Sequence, residues 1–253
     1  MNKFLVYFVF FTITILIFSI VPVVFEINSN SWLFILLFSL ILIIVLGVMI
    51  YFSFRKIVNS FKQPDVEHIF KNYRSSQMFY SSKEMNFAYL HFKSLVFSLY
   101  GRFEEGLLEM HKIDLVNLSS TYEVWRLNAI ALNNYLRRKN IDESIAMIEK
   151  AVELIRQNRR TIRLFRKIAE KSCETYIEIG EVLNCNYNES IIISLEKKFE
   201  RFSSILFLLK LIVAWVLCIA YEQKREYSKK ESMEAFLKKN APYCRALFNF
   251  NPT

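Results

Sequence analysis

The chain has 253 residues, 53% apolar and 16% aromatic, with 33 Lys+Arg against 24 Asp+Glu for a net charge of +9. The apolar excess is concentrated in residues 1–54, where Lys3 and Glu26 are the charged side chains. That pattern excludes a disordered chain and an ordinary soluble domain, and 4 Gly and 4 Pro are too few for glycine-rich phosphate loops or hairpin-rich sheets.

Two stretches open the chain, Phe4 to Phe25 and Trp32 to Phe54, neither with a charged residue. As helices at about 1.5 Å per residue, each reaches roughly 33–35 Å, enough to cross a hydrocarbon core of about 30 Å. Tyr7, Trp32 and Tyr51 fall near the ends, where aromatic side chains favour the interface. The polar link Glu26 to Ser31 has no Lys or Arg, whereas Lys3, Arg55, Lys56 and Lys62 flank the outer ends. The positive-inside bias then predicts a transmembrane helical hairpin over residues 1–56, with both termini cytoplasmic. A cleaved signal peptide fits poorly, because the apolar run exceeds a signal core of about 7–15 residues and no Ala-x-Ala-like site follows. Neither span carries an ionisable group, so the hairpin reads as an anchor.

Residues 57–80 read as a linker and a leading helix, with Pro64 placed near a helix start. Beyond them, Ser81, Ser120, Asn140, Asn186 and Ser228 each precede a Glu by three residues, the capping-box spacing. Apolar positions follow helical periodicity through Phe87–Phe97, Leu127–Tyr135 and Ile145–Ile155. The expectation is an all-α domain over residues 81–253.

The turns between these helices share a pattern. Tyr100-Gly-Arg-Phe-Glu-Glu-Gly106 resembles the inter-helix turn of a tetratricopeptide repeat, with Ser94 and Phe97 where that family has a small residue and a Tyr. Arg138–Ile145, with Ile141, Ser144 and Ala151, looks like the same turn, as does Asn184–Ile191, with Tyr187 and Ser190. Lys224–Tyr227 resembles a degenerate fourth. The spacing is longer and less even than the family's 34 residues or so, no unit ends in the usual Pro, and Glu178 and Glu181 stand where small and aromatic residues belong. The resemblance implies a helical-repeat α-solenoid in which stacked pairs share one core and leave a concave face for a protein partner.

Ile205 to Tyr221 has Lys210 as its charged residue. It reads as a buried core helix; the alternatives are a third span in a small polytopic protein, such as a self-immunity or transport-accessory factor, and a helix lying on the bilayer. Basic flanks on both sides disfavour the span.

The motif search points away from chemistry. His68, His91 and His111 lack partners at metal-site spacing, and His91 reads as a packed core residue. Cys173, Cys185, Cys218 and Cys244 are widely separated and read as reduced thiols. No nucleophile elbow, phosphate loop or zinc signature occurs. The expectation is a non-catalytic protein with no cofactor.

The candidate binding residues are basic. Along one continuous helix, Arg156, Arg160, Arg163 and Lys167 would share a face, flanked by Arg159 and Arg166. No Asp or Glu occurs between Glu153 and Glu170 to pair with them. Besides a solvated face, this pattern fits contact with anionic lipid or with a protein partner of acidic surface. Nucleic acid fits less well, because no aromatic side chains interleave as a stacking surface. The sequence therefore predicts a bacterial-type, multi-pass plasma-membrane protein that presents a cytoplasmic interaction scaffold.

Overall fold

The computed structural model describes residues 39–40, 47–48, 51–76, 82–112, 120–157, 163–185, 188–202 and 206–248. Most of the two apolar stretches therefore lies outside the described residues. Among the described residues no helix is long and apolar enough to cross a membrane.

The described residues are all-α, with no strand among them. A helical segment over residues 51–60 leads into α1 (Val66–Ser76), α2 (Ser82–Leu99), α3 (Phe103–His111), α4 (Ser120–Arg137) and α5 (Ile141–Gln157). There follow α6 (Arg163–Leu183), α7 (Glu189–Arg201), α8 (Phe207–Lys224), α9 (Tyr227–Asn240) and a 3-10 turn, Arg245–Phe248.

Side-chain contacts fix the directions. Lys93 on α2 meets Glu109 on α3, and Asn134 on α4 bonds Ser144 on α5. Ser194 on α7 bonds Glu178 on α6, and the Cys218 thiol of α8 points at the Lys230 carbonyl of α9. Each even-numbered helix thus packs antiparallel to its successor. Phe87 touches Trp125 and Asn133 bonds Ser98, so α2 and α4 run parallel. Cys173 meets Asn128, and Gly180 abuts Tyr135, so α4 and α6 do the same.

The reversals within pairs share one backbone device. Gly101, Arg138, Cys185 and Arg225 all have positive φ, at 81°, 53°, 56° and 60°. At three of them the next N–H reaches back five residues: Arg102 to Phe97, Lys139 to Asn134 and Glu226 to Tyr221. This pattern uses up the last helical carbonyls before the chain turns. Arg102 (φ −91°, ψ 62°) and Glu226 (φ −88°, ψ 64°) have nearly the same backbone, and each also accepts the first bond of the next helix.

That economy explains where the expected caps shift. At α9 the residue after the turn is already the helix start, so Tyr227 opens it with Glu226 before it, and Ser228 lies inside the helix. At α7 the cap is Asn188, whose side chain accepts from the Ile191 N–H at 3.3 Å. Asn140 has φ 52° instead of the extended backbone of a capping residue.

Ile205–Tyr221 yields α8 from Phe207 onward, and Leu211 through Tyr221 are all buried. The helix packs on α6, α7, α9 and the 3-10 turn. Arg138, at the end of α4, lies 5.9 Å from the Trp215 ring. The 3-10 turn also touches α2 and α4, with the Arg245 Cβ 3.9 Å from where a side chain on Gly101 would begin. The 3-10 turn thus packs on both α2 and α4, beside Gly101 at the end of α2.

Candidate functional site

The predicted basic residues do not fall on one helix. Arg156 sits exposed in the last turn of α5, while Arg163, Arg166 and Lys167 belong to the first turns of α6. Arg159 and Arg160 lie outside the described residues. Asn184 near the end of α6 bonds Asp142 near the start of α5, so these helices are antiparallel neighbours. The angular spacing that grouped the cations on a continuous helix therefore does not apply. Helix ends carry them instead, the C-terminus of α5 and the N-terminus of α6.

The most buried charged cluster lies elsewhere. Glu109 on α3 is buried, at 5% exposure, and its Oε1 accepts from Lys93 Nζ at 2.9 Å and from Lys112 Nζ at 2.8 Å. Burial opposes ionisation of Glu109, but the two lysines outweigh it and hold the carboxyl below its usual range. Lys93 Nζ also stands 5.4 Å from the Phe70 ring, 5.7 Å from Tyr89 and 5.5 Å from Phe97. Rings at this range attract a cation through their negative faces. A lysine in an apolar helix was the available sequence signal. Lys93 and Glu109 also stand equally far before and after Gly101, which a hairpin turns into contact.

Beside this cluster, Gly106 lets α3 approach α2 and α4. A Cβ there would lie 2.8 Å from Ser98 Oγ, 3.0 Å from the Ser94 carbonyl and 3.3 Å from Asn133 Nδ2. Asn133 Nδ2 donates to Ser98 Oγ and to the Phe103 carbonyl, both at 2.9 Å. The Ser94 and Gly106 positions read as small are thus the contact points of the first pair.

His91 packs against Trp125, with ring centroids 5.4 Å apart. Burial lowers its pKa to about 4, partly offset by a backbone hydrogen bond at Trp125. It is neutral at pH 7 and fits the core role read from the sequence. The four cysteines are free. Burial pushes the Cys173 thiol up to about 11 and Cys218 up to about 12, with Cys244 higher still. Such thiols are inert at neutral pH.

At the other end of the series, Tyr221 donates to Glu196 at 2.6 Å, Lys229 pairs with Glu226 at 2.8 Å, and Lys224 pairs with Glu189. The first and last of these bonds tie α7 to α8, and Lys229 also reaches Glu196 on α7 at 3.5 Å, which ties in α9. Among the described residues, no group of three or more His, Cys, Asp or Glu is placed to hold a metal ion. The outward sides of α3 and α7 carry exposed apolar residues, Leu108 at 58% and Ile193 at 40%. No known protein family, curated protein or solved structure matches the chain.

Proposed function

We propose that the chain is a membrane-anchored, non-catalytic interaction scaffold: a helical-repeat domain of tetratricopeptide type, held at the cytoplasmic face of a bacterial-type plasma membrane by residues 1–56. The carrying observation is the series of helix pairs joined by turns that each place a residue at positive φ, three of them with the same backbone reach-back. A pair of this kind cannot bury its apolar side alone, so pairs stack and expose a long helical surface suited to a protein partner. Because the 3-10 turn packs on α2 and α4, the docking surface in this reading is the other layer, formed by α3, α5 and α7. Leu108 and Ile193 supply apolar contact there. The cations from Arg156 to Lys167 supply charge for a partner with an acidic surface, or for anionic lipid.

Two measurements test this reading. Protease added to intact cells leaves a C-terminal tag uncut; digestion from outside reverses the topology. Photo-crosslinkers at Leu108 and Ile193 in the full chain give a discrete partner adduct, which Leu108→Glu with Ile193→Glu abolishes at unchanged melting temperature. Replacing Arg156, Arg160, Arg163 and Lys167 by Gln weakens that adduct and flattens its salt dependence. Adducts indifferent to both sets of substitutions would remove the scaffold reading.

A further inference from the structure

Aromatic side chains meet where the chain enters the folded body. The Phe61 and Phe207 rings lie 5.8 Å apart and those of Phe199 and Phe236 5.0 Å apart. Lys210 Nζ stands 4.7 Å from the Phe199 ring and 5.8 Å from Phe236. These contacts gather four helix ends: the end of segment 51–60, the C-termini of α7 and α9, and the N-terminus of α8. Cations line the solvent side of the same ends. Arg55, Lys56, Lys62, Lys197, Arg201 and Lys239 are exposed, and none pairs with a carboxylate among the described residues. Glu200 intervenes on α7, and Glu234 takes Lys238 at 3.4 Å, but the first turn of α8 has no acid.

The junction with the apolar run is firm. Ile57, Ser60 and Phe61 are buried, Phe61 fully. Asn72 Nδ2 donates to Ser60 Oγ at 2.6 Å, and Tyr100 donates to the Gln63 carbonyl at 2.8 Å. Residues 57–63 thus belong to the packed body of the domain. About a turn and a half before Ile57, Tyr51 and Phe52 are exposed at 55% and 58%. From Phe54 to Phe61 a helix advances about 10 Å, little more than the head-group layer on one side of a bilayer.

We propose that this end of the domain, around the N-terminus of α8, docks on anionic lipid head groups. The packed junction holds Lys62, Lys197, Arg201 and Lys239 against the bilayer. The proposal rests on the reading that residues 4–25 and 32–54 cross the membrane. Six exposed cations at one end repel one another within a screening length of about 10 Å at 0.1 M salt. An anionic surface relieves that repulsion, and each Lys or Arg near one favours the docked form about fivefold.

The test uses the full chain reconstituted into vesicles of phosphatidylcholine alone or mixed with phosphatidylglycerol, each doped with a head-group-photoactivatable phosphatidylglycerol. Alkaline carbonate extraction of the same vesicles reports the anchor separately. The expected result is a carbonate-resistant chain whose lipid adducts map to residues 62, 197–201 and 239 in the mixed vesicles and fall in high salt. Adduct yield drops by more than the roughly fivefold per cation expected for neutralisation in Lys197→Glu, Arg201→Glu and Lys239→Glu combined, and is unchanged in Lys139→Glu, a cation at a turn between helices. The three Gln replacements give an intermediate loss and keep the test decisive should charge reversal disturb folding. A carbonate-resistant chain whose adducts ignore lipid charge or these substitutions overturns the proposal while sparing the anchor. A carbonate-extracted chain that still gives the mapped adducts overturns the anchor and leaves the surface standing. Extraction without the mapped adducts overturns both.

Discussion

The first and last pairs of the series turn with nearly the same backbone, at Arg102 and Glu226, yet they are held by different physics. Around Gly106 the contacts are close and polar: Ser98, Asn133 and the Phe103 carbonyl in one set of bonds, and Glu109 between two lysines in another. Around α8 they are apolar, with Trp215, Leu211, Val213 and Val216 fully buried and little polar contact along that stretch. A shared turn therefore does not require a shared core. The polar end depends on small size and matched partners, the apolar end on filled volume.

The largest way to break that contrast is at the apolar end. Trp215→Ala leaves a cavity and costs about 3–5 kcal/mol, read from the midpoint of denaturant unfolding. At the polar end, Glu109→Gln strips Lys93 of its counter-charge among the three rings and costs about 2–3 kcal/mol, somewhat below the range for a fully buried pair because Lys93 keeps some solvent. Adding Lys93→Met to Glu109→Gln recovers part of that loss in a double-mutant cycle. Gly106→Ala gains roughly 1 kcal/mol of helix propensity but forces a Cβ to 3.0 Å from a backbone carbonyl. We expect a net loss of about 1–2 kcal/mol in thermal melts.

Titration sharpens the same comparison. The folded chain holds the His91 pKa near 4, whereas an unfolded chain protonates it near 6.5. At pH 7 the ring is neutral in both states and contributes nothing. Between about pH 6.5 and 4 the unfolded chain takes up a proton that the folded chain refuses, so stability falls by about 2 kcal/mol as pH drops. The figure sits below the full shift because part of the ring meets solvent. His91→Leu flattens that decline relative to the parent chain. The smallest effect is a gain: Arg225→Gly removes the penalty of a side chain at φ 60° and stabilises by up to about 1 kcal/mol.

Much of the domain's local architecture is legible in the sequence. Helical periodicity through Phe87, Leu127 and Ile148 places helices whose expected faces are buried. The reversals at residues 101, 138–140, 185 and 225 fall where turn chemistry puts them. At α9 the expected side-chain cap is replaced by the backbone of a tight turn, whereas at α7 a side chain still caps the helix but from Asn188, two positions after Asn186. The basic segment from Arg156 to Lys167 divides between two helices, since periodicity alone carries no signal of where an amphipathic run is cut. The Lys93–Glu109 pair left a signal in its symmetric placement about Gly101, whereas the cations around the N-terminus of α8 escape sequence reading because they come from different helices.

The sequence by itself determined the helical class of the domain, the positions of its turns and the apolar character of α8, because helix periodicity and turn geometry act over a few residues. Only the tertiary structure decided that α2, α4 and α6 run parallel, that α8 is enclosed by its neighbours, and that the chain's C-terminal part covers the ends of α2 and α4. Those outcomes depend on which apolar surfaces fit each other across many residues. A pairing such as Phe61 with Phe207 joins side chains with no local cue to link them.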